Sequence, residues 1–94
     1  MRTVYKYNLT DQGIVLKLEL PEGAKVLLVA QQGRGVYAWI EVDTSRPIEE
    51  RTFIITGTGE RLPETDGPLE HIGSATADYN GTFVFHFWER VQNG

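Results

Sequence analysis

Polar and apolar residues alternate along most of this chain with a period of two, the spacing of a strand with one wet face and one dry face. From Arg2 to Leu9 the alternation puts Tyr5, Tyr7 and Leu9 on one side, so both tyrosines are expected on an inner face. Ile14, Leu16, Leu18 and Leu20 repeat the pattern most cleanly, with Val15, Lys17 and Glu19 between them, and Pro21-Glu22-Gly23 ends the run. Val26 to Ala30 is continuously apolar, which predicts a central strand covered on both faces. Gln32-Gly33-Arg34-Gly35 predicts a hairpin turn. Beyond it, Val36, Ala38, Ile40 and Val42 face inward, and Tyr37 and Trp39 take the opposite face.

Asp43 to Pro47 reads as a loop, and Arg51 to Thr58 as a strand with Phe53 and Ile55 on one side and Thr52, Ile54 and Thr56 on the other. The strand runs into Gly57-Thr58-Gly59. Residues 60–69, with Pro63 and Pro68, form the longest irregular connection. Glu70 to Ala77 predicts a short, weak strand, and Asp78-Tyr79-Asn80-Gly81 a hairpin turn. In Phe83-Val84-Phe85-His86-Phe87-Trp88 neither face suits water, so this strand belongs inside a sheet whose second face is covered by another layer or another subunit. It ends near Arg90, and Val91 to Gly94 are expected to fray. No window carries a helical repeat. The prediction is a single all-β domain over 1–94, a small antiparallel β-sandwich or partly closed barrel of about seven strands.

Composition narrows the classes of function. The 94 residues give room for one core. With no cysteine, a disulfide scaffold and a thiolate zinc site are both excluded. The start of the chain alternates from Met1 onward, so no signal peptide is expected, and the apolar runs are too short to cross a bilayer as helices. Net charge is −4, concentrated in residues 41–70, where eight acids face three arginines. Such a surface argues against binding along duplex nucleic acid, where phosphate neutralisation dominates affinity. A small anion held by one or two arginines stays open.

Four groups of residues are candidates for chemistry. Gly57-Thr58-Gly59 with Arg61, and Arg51 as a second charge, could cradle an anion through backbone N–H groups and guanidinium. The same glycines also suit a strand-ending turn. His86 could be a proton donor or ligand contact, or a buried imidazole bonded to a neighbouring strand. Tyr37, Trp39 and Trp88 suit a subunit interface or a covered second face better than a stacking platform. The acids Glu60, Glu64, Asp66 and Glu70 match no calcium loop. There is no cysteine nucleophile and no Gly-x-Ser-x-Gly elbow. The two histidines, His71 and His86, form no zinc-binding helix motif. No catalytic residue, metal or cofactor is assigned; an enzyme using His86 and a carboxylate is the weakest reading.

The order of residues resembles a family of small uncharacterised bacteriophage and prophage proteins, a domain of unknown function. The resemblance spans nearly the full length. It is carried by Val4-Tyr5-Lys6-Tyr7, Leu20-Pro21-Glu22-Gly23-Ala24 and Tyr37-Ala38-Trp39-Ile40-Glu41-Val42-Asp43. Ile55-Thr56-Gly57-Thr58-Gly59, His71-Ile72-Gly73 and Val84-Phe85-His86-Phe87-Trp88-Glu89 complete it. Relatives often have a histidine after Gly-Thr-Gly, where Glu60 stands here. The resemblance implies a phage origin, action in the host cytoplasm and an accessory role.

The expected function is therefore a non-enzymatic binding protein, self-associating through its aromatic faces, that counters host defence by sequestering a small anionic signalling nucleotide. The alternative is a virion structural protein or an inhibitor of a host protein, with no small-molecule site.

Overall fold

A computed structural model describes residues 1–10, 13–64, 67–78 and 82–91. Seven strands follow in order: β1 (Arg2–Asn8), β2 (Val15–Pro21), β3 (Lys25–Gln32), β4 (Gly35–Asp43), β5 (Ile48–Gly57), β6 (Leu69–Asp78) and β7 (Thr82–Arg90). They form two antiparallel sheets, β1-β4-β3 and β2-β5-β7-β6. Among the described residues there is no helix, and the sheets do not close into a barrel. The architecture is an all-β sandwich.

The inner faces are those the period-2 pattern marks. Leu16, Leu18 and Leu20 from β2 share one core with Ala38, Ile40 and Val42 from β4, to which Phe53 of β5 and Phe87 of β7 belong as well. The Phe53 and Phe87 rings lie parallel with centroids 5.0 Å apart. Each such side chain contributes roughly 1.5–3 kcal/mol by leaving water. The β3–β4 connection is a two-residue turn, Gly33-Arg34, with Gly33 at φ +62°, a conformation that costs an L side chain but not glycine.

β7 lies between β5 and β6, in the middle of its sheet. The part of the outer face around Ile54 of β5 is covered within the chain itself. Ile54 points outward yet is 0% exposed. Trp88 stands opposite it in the ladder, and the connection after β5 folds back so that Pro63 and Glu64 share a cleft of about 270 Å³ with Val15, Thr52 and Ile54. A returning loop supplies the cover here.

Several expectations need correction. β3 is an edge strand of the three-stranded sheet, not a central one. A bulge between Val26 and Leu28 takes Leu27 out of the ladder, and Leu27 and Leu28 are 50% and 52% exposed. The run is apolar on both sides because Val26 and Val29 pack on the core while Leu28 pairs beside Trp39 on the outer face. Ile14 precedes β2 and is exposed, so the buried row begins at Leu16. Tyr5 shares an inner-facing row with Tyr7 and Leu9 but lies on edge strand β1 and is 47% exposed. Burial, with Tyr5 nearby, raises the pKa of the Tyr7 phenol. β5 starts at Ile48, and β6 is a full ten-residue strand. Asp78 of the expected turn ends β6, and the rest of that turn (79–81), Asp66 and the tail 92–94 lie outside the described residues.

Candidate functional site

The outer face of the four-stranded sheet gathers a hydrogen-bonded row of side chains across three segments. Thr58, just past the end of β5, lies 3.0 Å through Oγ1 from His86 Nε2 on β7. His86 Nδ1 is 3.1 Å from Ser74 Oγ on β6, and the same Oγ is 3.1 Å from His71 Nε2. The row lies on the exposed side of the sheet. The His71 ring stands edge-on to Trp88 at 5.0 Å. Trp88 Nε1–H donates to buried Thr56 Oγ1 at 3.1 Å, which fixes the indole.

Local sequence explains this convergence. His86 and Trp88 are two apart on β7 and so share a face. His71 and Ser74 are three apart, which in a regular strand would put them on opposite faces. The ladder shifts between His71 and Gly73, and the extra residue returns both side chains to the outer face. His71 then sits across from Trp88, and Ser74 across from His86.

One proton assignment uses every contact in the row. Thr58 donates its hydroxyl to the Val84 carbonyl at 3.4 Å and accepts from His86 Nε2–H. The lone pair of His86 Nδ1 then accepts from Ser74, which accepts from His71 Nε2–H. This is an assignment of tautomers from the network. The row offers donors and acceptors to a bound molecule but has no carboxylate to orient either imidazole.

The other residues singled out from sequence are placed as follows. Gly57 is buried, and Gly59 has φ +87° in a turn closed by Glu60 N–H donating to the Gly57 carbonyl at 3.1 Å. Thr58 N–H donates to the Val84 carbonyl, so both amides already have backbone partners. Arg61 is exposed on the same loop. Arg51 is not brought to this site. It lies six residues back along β5, on the inner face, where it holds Glu89 through Nε and Nη2 at 2.5 and 2.7 Å and donates to the Ala24 carbonyl at 2.5 Å. The Glu89 hydrogen bonds raise the Arg51 pKa, and Glu49 and Glu70 add to the effect against desolvation.

Tyr37 and Trp39 are half-buried on the outer face of the other sheet, on the opposite side of the molecule from Trp88. Lys6 Nζ stands 4.2 Å above the Tyr37 ring and bonds Gln32 Oε1. Leu28 stands across from Trp39 in the ladder, and Val4, across from Glu41, shares the same outer face. Among the described residues, no group of three or more His, Cys, Asp or Glu is arranged to hold a metal ion.

The full chain, residues 1–94, matches the model of a family described as a domain of unknown function, DUF7352. The chain belongs to this family. The DUF7352 description assigns neither an activity nor a source. No curated protein and no solved structure matches the chain.

Sequence reasoning named Thr58 and His86 but missed Ser74, and it noted His71 only in passing. The available signal was Gly73, since a glycine inside a strand often marks a bulge.

Proposed function

We propose that this is a non-enzymatic binding protein, encoded by a bacteriophage or prophage, that works in the cytoplasm of the infected cell. Its ligand is a small cyclic or adenosine-based signalling nucleotide, and sequestering it counters host defence. The observation that carries this reading is the exposed Thr58–His86–Ser74–His71 row beside the Trp88 ring. Imidazoles and hydroxyls in one row offer hydrogen bonds to phosphate, ribose and base edges, with a ring alongside. Arg61, three residues beyond Thr58 on the exposed loop, supplies the charge partner. Arg51 plays no part, because Glu89 holds it on the inner face. The sequence resemblance supports the phage origin. Calorimetry against a panel of mono-, di- and cyclic nucleotides tests the ligand: saturable heat with a thermal shift is expected for at least one member. No heat and no shift across the panel would discard the nucleotide.

The outer face of the other sheet favours a second reading, in which the protein contacts other chains. Val4 and Leu28 are exposed beside half-buried Trp39 and Tyr37, which suits self-association or a host or virion partner. Light scattering at micromolar concentration tests the first: a dimer or larger is expected, and a monomer contradicts it. Mass spectrometry of purified particles tests the virion role, for which stoichiometric copy number is expected.

A further inference from the structure

We propose that His71 and His86 form a binding site for one divalent first-row transition ion of the Zn²⁺ class. His71 Nε2 and His86 Nδ1 converge on Ser74 Oγ, each 3.1 Å from it, close to the roughly 3.3 Å that separates two ligands of one tetrahedral ion, so an ion would sit among the three atoms. Nitrogen donors of this kind select zinc, copper or nickel over magnesium or calcium. The ring centroids are 6.2 Å apart. Two imidazoles on a tetrahedral ion, with metal–nitrogen bonds of 2.0–2.1 Å, hold their ring centres roughly 5–5.5 Å apart. The rings therefore need to approach by only about 1 Å, or less with a wider angle at the ion.

The outer contacts are those a ligating histidine needs. In the proton assignment that uses every contact, His86 Nε2–H donates to Thr58, and Thr58 is anchored on the Val84 carbonyl. That holds the ring and leaves the Nδ1 lone pair facing the site, as hydrogen bonds behind metal-bound imidazoles do. His71 is held edge-on by Trp88. Its ligation requires the ring proton to move from Nε2 to Nδ1. Because His71 is exposed, solvent can carry that exchange. Ser74 Oγ and water complete the coordination. The bulge on β6 is what makes the site, because a regular strand would send one of His71 and Ser74 to the other face.

This inference does not depend on the nucleotide reading. Zinc binding without nucleotide binding, or the reverse, separates the two. The test is a titration of Zn²⁺ into the full chain after treatment with chelator. Calorimetry is read together with the imidazole resonances of both histidines. One equivalent is expected to bind with Kd in about the 1–100 µM range, weaker than closed four-ligand sites. Both histidines should shift together. His71→Ala and His86→Ala should each weaken binding at least about tenfold. Mg²⁺ should give no heat. The far-UV spectrum of each variant checks folding, and exposed His71 supplies the variant least coupled to the core. Absence of saturable binding up to about 1 mM would overturn the proposal. So would affinity unchanged in His71→Ala.

Discussion

Replacing Glu89 by glutamine should destabilise the protein far more than a single charge change on the surface. Arg51 and Glu89 side chains are only 17% and 15% exposed and share a two-point contact. The amide keeps the shape of the carboxylate but sets an NH₂ against a guanidinium N–H. One donor of Arg51 is then unmatched and its charge uncompensated on the inner face. Removing one partner of a buried pair costs about 3–5 kcal/mol. Here Glu49 and Glu70 remain near Arg51 and offset part of that, as their influence on its pKa indicates. The expected cost is about 2–3 kcal/mol. For a chain of this size that lowers Tm by roughly 8–24 °C. Because pairing with Glu89 raises the Arg51 pKa above its ordinary value, the arginine's side of the contribution is present at all lower pH and is lost only in strong alkali. Thermal and urea unfolding of Glu89→Gln, Arg51→Met and the double variant Arg51→Met/Glu89→Leu measure the effect. The double variant should recover most of the loss, since no buried charge is then left alone. A cost under about 0.5 kcal/mol for Glu89→Gln, the range of an ordinary surface change, would refute the reasoning.

Gly35→Ala places a methyl 2.7 Å from Tyr37 Cε2 and 2.8 Å from Thr10 Oγ1, so overpacking of about 1–3 kcal/mol is expected by urea unfolding. Leu27→Ser, at the bulge, should change stability by less than about 0.5 kcal/mol, whereas Leu16→Ala in the core should cost about 2–5 kcal/mol. Asp43 has its pKa lowered from 3.8 to about 2 by hydrogen bonds from the Ser45 side chain and backbone, with the N-terminal amine adding to them. A depressed carboxyl stabilises above its unfolded value, and that stabilisation is lost as pH falls through the folded one. Melting curves of wild type and Asp43→Asn should therefore differ at pH 5 and converge toward pH 2.

The strands and inner faces were legible because burial on one side leaves a period of two, clearest at Leu16, Leu18 and Leu20. Strand position was not legible at β3, where an apolar run came from a core side and an aromatic outer side rather than from two covered faces. Nor could the cover on Ile54 be read, because a loop returning over a sheet has no periodic signature. At the site, Thr58 and His86 stood out by residue type. Ser74 did not, because its partnership with His86 depends on a ladder shift that alternation alone hides. Arg51 looked free in the sequence because Glu89, its partner, lies 38 residues away.

The most direct test of the account follows the imidazole signals of His71 and His86 by NMR while the nucleotide panel is added to metal-free protein. Both histidines are expected to shift saturably with the bound nucleotide, and the His71 shift is expected to disappear in Ser74→Ala/His86→Gln. Nucleotide binding that leaves both imidazoles unmoved, or no binding at all, would contradict it.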